Sequence, residues 1–449
     1  MSHSFAHIIR GVGVASAGTA VTAVLNVLTV KVLALTLGPA GTGFYSLIKQ
    51  LGQVGITVAT LNSQSAIVQA IASRPEGEAR RQYLGAAAGL VIGAVVLVAV
   101  AMTLNADLLA GLIMPAALDR FALAIRFAVF VVVLGAAATF LAGVLNGYRA
   151  LKTLAAGQVA AALAGLMFAL MMAGSASNDF ELMLVLLLAV SQAAALSVYV
   201  VWAVKNNALH QLHPRYDVAQ DRAALRHFVS ISAATLVTGL ATAGTMLAVR
   251  AMVARSYGLA GAGIFVAAYT ISGSYIGLLL GGFGTYYMPA LAATPDRAER
   301  IVFMRRVLLL VTLIAAPLLI ALALLRAPVL SLLYSPEYAA AGEVLRFFII
   351  GDFLKASAWV FAYLAIAFPN MRMLLVCDLS WNLGFILISA VSLKAGLPLV
   401  MLGMAHALLY AGYLVAFGVY ANRVHGFTAS GKLAVLWLFS LMAVALSIA

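Results

Sequence analysis

Charge is scarce in this sequence, and acidic charge is the scarcest. Of 449 residues only 9% are charged and 14 are acidic, whereas 64% are apolar and the mean hydropathy is +1.07. A soluble domain carries about 25% charged residues and cannot bury this much apolar surface in one core. The composition therefore excludes a soluble enzyme and predicts a protein whose solvent is the lipid bilayer.

Cysteine is nearly absent, and so are the common signatures of catalysis. The single cysteine, Cys377, excludes an internal disulfide and a cysteine-rich metal or iron–sulfur site. The sequence contains no HExxH, Walker A or GxSxG motif. We therefore expect neither an enzyme nor a bound metal or cofactor, and any transport must be driven by something other than the protein's own hydrolysis of ATP.

Long apolar segments are what the sequence has instead. Twelve of them have the roughly 20 residues that a helix needs to cross a bilayer, and a thirteenth, 433–449, is at the lower limit of that length. Short alternating segments of the kind found in β-barrels do not occur. The prediction is an all-α polytopic membrane protein with spans at 11–37, 44–72, 83–104, 121–146, 153–174, 182–204, 228–251, 262–291, 303–325, 343–368, 371–393 and 398–421.

Basic residues outnumber acidic ones by 27 to 14, and their distribution along the loops orients the predicted helices. Alternate connections are basic, whereas the others are short and carry acidic residues such as Asp107, Glu181 and Glu343. Because basic loops stay in the cytoplasm, we expect a cytoplasmic N-terminus and short external loops. Most of the excess positive charge then reflects topology, and we expect no nucleic-acid partner.

A glycine motif occurs twice along the chain. Gly38-Pro-Ala-Gly-Thr-Gly43 follows the first predicted span, and Gly258-Leu-Ala-Gly-Ala-Gly263 follows the seventh, 220 positions later. Six helices, an even number, separate the copies, so the two halves should enter the membrane in the same sense, as parallel repeats. The alternative is a small-residue turn that arose twice by chance. We predict an N-terminal six-helix lobe (1–204), a cytoplasmic linker (205–227), a C-terminal six-helix lobe (228–421), and a turn with a thirteenth helix (422–449).

Charged residues inside the predicted spans are the first candidates for function, because each costs about 2.5–3.5 kcal/mol at mid-helix on insertion scales. Lys31 and Lys49 flank the first glycine turn, and Arg250 precedes the second. Together they would form a cationic zone in the outer part of the bundle. The alternative for each of these three is that its side chain snorkels to the lipid headgroups. A fourth basic residue, Lys355, is near the middle of its helix, where snorkelling is much less credible.

Asp352 and Lys355 lie three residues apart and therefore on one face of the tenth predicted span. They could neutralise each other, or Lys355 could face an anionic substrate while Asp352 takes up a coupling proton or cation. Asn26 and Gln53 could line a wet cavity or form interhelical hydrogen bonds. His406, the one histidine that we place within a span, is better suited to a buried helix contact than to a ligand.

Two stretches carry a resemblance to a known family. They are Lys31–Gly41 (KVLALTLGPAG), followed by Lys49-Gln-Leu, and Ile350–Lys355 (IGDFLK), followed by Ala358–Ala367 (AWVFAYLAIA). With the helix order over about 10–421, they resemble the Wzx-type lipid-linked oligosaccharide flippases, such as the O-antigen and enterobacterial-common-antigen translocases. These belong to the multidrug/oligosaccharidyl-lipid/polysaccharide exporter superfamily.

The resemblance implies a fold, a substrate and partners. The fold would be two six-helix lobes around a central cavity that opens to one side at a time. The substrate would be an undecaprenyl-diphosphate-linked oligosaccharide moved from the inner to the outer leaflet of the bacterial inner (plasma) membrane. Membrane lipids, a polysaccharide polymerase and a chain-length regulator would be the partners. Segment 433–449 departs from the twelve-helix pattern of the family.

The resemblance also bears on the site. Lys31, Lys49 and Lys355 fall at motif positions where the family places basic or polar cavity residues, and Arg250 is added by the internal repeat alone. A cation-coupled multidrug antiporter of the same superfamily is the first alternative, although a cavity for cationic drugs should be acidic. A polysaccharide polymerase or ligase is the second, although it would need a substantial external loop.

Overall fold

A computed structural model describes residues 5–73, 77–174, 179–208, 222–294, 296–368 and 370–448. This part of the chain is helical, with short 3-10 turns and no β-strand. Its α-helices are α1 Phe5–Ala59, α2 Gln64–Ser73, α3 Glu78–Leu104, α4 Ala106–Ile113, α5 Leu118–Gly147, α6 Leu151–Ala173, α7 Phe180–Lys205, α8 Arg222–Ala292, α9 Arg297–Leu324, α10 Arg326–Leu333, α11 Ala341–Ala367, α12 Met371–Lys394, α13 Val400–His425 and α14 Gly431–Ser447.

Ten helices of the described part are long and apolar enough to cross a membrane. Two of them are double, because the apolar stretches Gly18–Ala59 in α1 and Phe228–Ser274 in α8 contain 42 and 47 residues. At 1.5 Å per residue these stretches are about 63 and 70 Å long, twice the roughly 30 Å of a hydrocarbon core. Each double stretch therefore accounts for two of the twelve predicted spans, and the predicted all-helical membrane fold is confirmed.

Both double helices are broken at the glycine motif. Gly38 has φ 60° and ψ −166°, and Gly258 has φ 71° and ψ −179°, a conformation that side-chain-bearing residues rarely adopt. A Cβ atom built on Gly41 would lie 2.2 Å from Cβ of Leu37, whereas residues four apart in a continuous helix are about 5–6 Å apart. The chain thus turns sharply at the break. Glycine is required at positions 38 and 258 because of the backbone dihedral angles, and at position 41 because a side chain would collide with Leu37.

The two halves of the chain repeat the same helices at a constant offset in the numbering. Gly258 and Gly38 are separated by 220 positions, and both ends of α13 follow the corresponding ends of α7 by the same offset. Four other helix pairs agree to within three residues at each end: α3 with α9, α4 with α10, α5 with α11, and α6 with α12. This is the internal repeat that the glycine motif predicts.

The chain divides into two compact units, residues 1–247 (unit 1) and 248–449 (unit 2). Most of the predicted linker 205–227 lies outside the described residues, so the lobe boundaries stay a prediction. The first part of α8 belongs to unit 1 and is tied to it by side-chain hydrogen bonds. Nε2 of Gln50 donates to the carbonyl oxygen of Ala243 (2.9 Å), and Nδ2 of Asn62 donates to that of Thr235 (2.6 Å).

The predicted thirteenth segment is helical. Helix α14 begins after Ser430, whose side chain accepts a hydrogen bond from the backbone N–H of Leu433. Its 17 residues extend about 26 Å. The indole nitrogen of Trp437 donates to the hydroxyl of Ser357 at 2.8 Å, which attaches α14 to α11 within unit 2.

Candidate functional site

The predicted residues of unit 1 include an exposed polar stripe on an otherwise buried helix. In the second part of α1, Phe44, Ile48 and Leu51 are buried. Lys49 and Gln53, four residues apart and so on one face, are exposed. Nζ of Lys49 lies 5.6 Å from the centroid of the Tyr45 ring, close enough for a cation–π contact.

This stripe differs from the faces that other helices of unit 1 present. Helix α3, for example, exposes Val96, Leu97 and Leu104 at 57, 70 and 76%. Hydrocarbon requires such an apolar surface, because a charged side chain in the bilayer core is costly. The exposed face that carries Lys49 and Gln53 is therefore suited to line a water-filled cavity.

The other two predicted residues of unit 1 are placed differently. Lys31 is half-buried in the first part of α1. Asn26 is exposed, and it shares its helix face with Thr22, four residues earlier, and Thr29, three residues later. Asn26 thus lies on a face of α1 that carries other polar side chains.

In unit 2 the predicted residue Asp352 is the centre of a buried polar network. Its carboxylate is fully buried. The hydroxyl of Ser272 donates to Oδ2 of Asp352 at 2.6 Å, and Nε2 of His406 lies 3.4 Å from Oδ1. These contacts join α8, α11 and α13, so a change in the charge of Asp352 is felt on three helices at once.

The ring of His406 fits against α11 because residue 351 is a glycine. A Cβ atom on Gly351 would lie 2.3 Å from Cδ2 of His406 and 3.1 Å from the backbone nitrogen of Ala407. The ring also makes edge contacts with Phe348 and Tyr410, each at a centroid distance of 4.8 Å. The IGDFLK motif therefore contains both the acid and the small residue that lets its histidine partner approach.

Among the described residues Lys355 is not ion-paired with Asp352, although their spacing allows it, and its ammonium lies over an aromatic ring. Nζ of Lys355 is 5.4 Å from the centroid of the Tyr410 ring. Lys355, Trp359 and Tyr363 follow one another at four-residue intervals and are partly exposed, whereas most of α11 is buried. The rings of Trp359 and Tyr363 are 5.5 Å apart. Helix α11 thus presents a cation followed by two aromatic rings.

Arg250 belongs to the same unit and to the same neighbourhood. It is half-buried in α8, and Tyr269 of that helix lies close enough to Arg250, Lys355 and Asp352 to be influenced by their charges. The structure therefore brings these three predicted residues together around a tyrosine. Lys31, Lys49, Asn26 and Gln53 all lie in the other unit.

Several residues of this network escaped the sequence analysis. Tyr269, Ser272 and Tyr410 carry no signal in a single sequence, because tyrosine and serine are common in membrane helices. His406 did carry one, as the single histidine that we placed within a predicted span. The expectation that it makes a buried helix contact is confirmed, and its partner is Asp352.

Comparison with known proteins agrees with this architecture. Residues 8–294 match the family described as "Polysaccharide biosynthesis protein". The "Lipid III flippase" of Escherichia coli K12 is 26% identical over 145 residues, which are 32% of this chain and 35% of that protein, and the same protein of Shigella flexneri matches equally well. The alignment thus spans about a third of the length of these relatives.

Solved structures of two transporter types share the fold. A structure of the "Lipid II flippase MurJ, inward closed conformation" has a TM-score of 0.63 and 11% identity, with 96% of this chain and 97% of that chain covered. An inward-facing multidrug resistance MATE family transporter of the MOP superfamily has a TM-score of 0.65 and 12% identity, with 95% and 94% covered. At these identities the similarity shows the fold alone. The family match is of a different kind, because it covers well over half of the sequence, and by it this multi-pass membrane chain belongs to the polysaccharide biosynthesis protein family.

Proposed function

We propose that this protein is a flippase for lipid-linked oligosaccharides, which it moves across the membrane by alternating access. The observation that carries the proposal is a pair of polar stripes on otherwise buried helices, Lys49 with Gln53 in unit 1 and Lys355 with Trp359 and Tyr363 in unit 2. The names of the curated relatives and the family both point to the same class of substrate.

The chemistry of such a substrate matches the stripes. A diphosphate does not cross hydrocarbon unaided, so its carrier must offer cations on a wet surface within the membrane. Lysine suits this role, because its ammonium is a hydrated point charge that holds a phosphate without a fixed two-point geometry, and release stays possible. Lys31, Lys49, Arg250 and Lys355 are the proposed contacts to the diphosphate or to anionic sugars.

The aromatic residues of α11 account for the oligosaccharide. Trp359 and Tyr363 lie one and two turns beyond Lys355 on the same partly exposed stripe. An aromatic ring offers a broad apolar face together with a polar group at its edge, which suits a sugar ring that has apolar C–H faces and polar edges. A cation followed by two rings therefore matches a diphosphate followed by sugars.

The network around Asp352 is the proposed coupling element. Buried ionisable residues within membrane spans mark proton and ion pathways. The Asp352 carboxylate and the His406 ring together could take up a proton, and their contacts with α8, α11 and α13 would pass the change to three helices. The proposed driving force is accordingly a proton or cation gradient.

The finer features of the proposal follow from the sequence resemblance. The substrate is an undecaprenyl-diphosphate-linked oligosaccharide for an O-antigen-like surface polysaccharide, carried from the inner to the outer leaflet of a bacterial inner membrane. The proposed cytoplasmic position of the N-terminus follows instead from the distribution of basic residues along the loops. A polysaccharide polymerase and a chain-length regulator act on the product, and the protein itself is a transporter that catalyses no reaction.

Purified protein in liposomes tests this proposal. Vesicles that contain a fluorescent polyprenyl-diphosphate oligosaccharide in both leaflets are treated with an external lectin or glycosidase, which reaches only the outer leaflet. We expect the protein to expose the inner half of the labelled lipid, in a manner that depends on a pH or cation gradient. Retention of the inner half in protein-containing vesicles, with or without gradients, would contradict the proposal.

A multidrug antiporter is the second candidate, because the MATE transporter shares the fold as closely as the lipid II flippase does. The candidate residues speak against it, since the four basic ones, Lys31, Lys49, Arg250 and Lys355, outnumber the acids Asp352 and Asp378. A cavity for cationic drugs should carry the opposite sign. Efflux of ethidium from the same vesicles, without movement of the oligosaccharide lipid, would favour the antiporter.

A further inference from the structure

At one end of unit 2, two arginine side chains hold a connection between helices. The connection between α13 and α14 lies against the start of α9. Nε of Arg305 donates to the carbonyl oxygen of Thr428 at 2.6 Å, and Nη2 of Arg305 donates to the Thr428 hydroxyl at 2.8 Å. Nε of Arg297 donates to the carbonyl oxygen of His425 at 3.0 Å. These two guanidinium groups hold the connection through neutral oxygen atoms.

Three other arginines of the described part have carboxylate partners. The guanidinium groups of Arg120, Arg126 and Arg346 lie 2.9–3.2 Å from carboxylates, those of Glu181, Asp107 and Glu343 respectively. Neither Arg297 nor Arg305 has an ion pair with a carboxylate of the described residues, so their charges are not neutralised in this way.

Further basic residues lie close by in the sequence. Arg306 follows Arg305 and Lys432 follows the connection, and both are exposed. The acids at this end are Asp296 and Glu299, and the Asp296 carboxylate accepts a hydrogen bond from the backbone of Glu299 as the cap of α9. Only two of the five guanidinium N–H groups of Arg305 are used by Thr428, which leaves donors for another acceptor.

An apolar cavity of about 360 Å³ lies beside this basic end. Its described lining includes Leu308, Phe361, Phe427, Leu433, Trp437 and Leu438. Leu438 is 54% exposed, so the cavity opens to the outside of the unit. The hydroxyl of Ser357 in the described lining already accepts a bond from Trp437 and donates to the carbonyl oxygen of Phe353 at 3.0 Å. The described walls therefore offer nothing to a polar ligand.

The basic rim and the apolar wall are joined through the chain. Phe427 and Ala429, which line the cavity, flank the Thr428 that Arg305 holds. Leu308 lies three residues after Arg305 on the same face of α9, and Leu433 directly follows Lys432. A ligand that uses both features must have a negatively charged head and an apolar chain.

We propose that this cavity binds one acyl chain of an anionic phospholipid of the surrounding bilayer, with the lipid phosphate on Arg305 and Lys432. Basic pockets at the ends of membrane helices attract anionic headgroups. The cavity is small among ligand sites, which suits a single chain better than a whole lipid. The site is separate from the proposed transport residues and does not depend on their function.

Native mass spectrometry of the full chain in detergent tests the site, with dioleoyl phosphatidylglycerol and dioleoyl phosphatidylcholine as probes. We expect phosphatidylglycerol to saturate one site at a concentration about tenfold below that of phosphatidylcholine. A tenfold difference corresponds to roughly 1.4 kcal/mol of binding free energy, which we attribute to the anionic headgroup. Replacement of both basic residues, Arg305→Gln with Lys432→Gln, should remove this preference. Ala434→Phe, which places a ring in the cavity, should weaken the binding of both lipids.

Arg81→Gln with Lys152→Gln, two exposed basic residues of unit 1, is the matched control and should bind phosphatidylglycerol as the unchanged protein does. Because Arg305 also holds Thr428, Lys432→Gln alone is measured as the variant whose fold is not at risk, and it should give part of the loss. Equal binding of the two lipids, or unchanged binding after Ala434→Phe, would overturn the proposal. Displacement of phosphatidylglycerol by an equimolar polyprenyl-diphosphate lipid would assign the cavity to the transport substrate instead and would equally overturn it.

Discussion

The two halves of this chain share one backbone plan and differ in where they place polar residues. In unit 2, α11 carries Asp352 and Lys355. The residues 220 positions earlier, on α5 of unit 1, are Val132 and Gly135. A Cβ atom on Gly135 would lie 2.3 Å from Cδ1 of Ile56, so α5 packs tightly against α1 at the point where α11 carries a cation.

At another position the charged residue is in unit 1 instead of unit 2. Lys49 of unit 1 corresponds at the same offset to Tyr269 of unit 2, which lies close enough to Lys355 to be influenced by its charge. Lys49 itself lies over Tyr45. Each unit therefore has a lysine close to a tyrosine of the helix that follows its glycine break. In unit 1 that helix also supplies the lysine, Lys49, whereas in unit 2 the lysine is Lys355 of α11.

The two units thus separate the features that a duplicated fold keeps from those that it changes. The glycine breaks at 38 and 258 are kept, because they determine the path of the chain. Side chains on the partly exposed stripes are changed without cost to the core. We infer that the units have different tasks: unit 1 offers the exposed Lys49, and unit 2 places Lys355 on the helix that also carries the buried Asp352.

Lys355→Ala should have the largest effect, because it removes a cation on the helix that also carries Asp352 of the titratable network. Loss of a hydrogen bond to a charged group costs about 1.5–3 kcal/mol, which corresponds to a decrease of about 10- to 100-fold in transport. The vesicle assay measures it, with Lys152→Ala as the control for a surface lysine. Normal transport by Lys355→Ala would remove this residue from the site.

Asp352→Asn and His406→Gln should separate coupling from binding. Both substitutions keep the approximate shape of the side chain and remove a group that could carry the coupling proton. We expect transport under a pH gradient to fall to the rate measured without one, with substrate binding to the detergent-solubilised protein unchanged. A variant that still responds fully to the gradient would show that the network is structural only.

Gly351→Ala should destabilise unit 2 by about 1–3 kcal/mol, the usual cost of an overpacked core. Its Cβ would meet the ring of His406 at 2.3 Å, and that ring is confined by aromatic neighbours. Gly135→Ala in unit 1 meets the end of the flexible Ile56 side chain at the same distance and should cost less. Thermal unfolding in detergent compares the two, with Gly412→Ala, which meets nothing within 4 Å, as the control. Equal losses would show that the close approach to His406 is not special.

The sequence predicts the fold well because hydrophobic length is a strong signal. The spans, the internal repeat and the break at Gly38 all follow from patterns that a single chain contains. Each double helix was predicted as two spans divided at its glycine motif, and the structure places the breaks at Gly38 and Gly258.

The site is only partly predictable, for a physical reason. Charges within a span stand out, so Asp352 and Lys355 are found at once. Their partners Ser272 and Tyr410 belong to other helices, α8 and α13, and only packing brings them near. Asn26 is the converse case, because a polar residue in a span does not by itself reveal whether its face meets a cavity or a neighbouring helix, and its role stays a prediction.

Lys49→Ala should have the smallest effect of the charged-residue variants and so defines the asymmetry from the side of unit 1. Its ammonium is exposed and its described contact is the cation–π contact with Tyr45, worth about 0.5–1 kcal/mol at an exposed site, or about 2- to 5-fold in transport. Lys49→Arg should restore the activity, because an exposed stripe has room for the larger head. If Lys49→Ala instead matched Lys355→Ala, the two cations would be equivalent, and the division of tasks between the units would have to be abandoned.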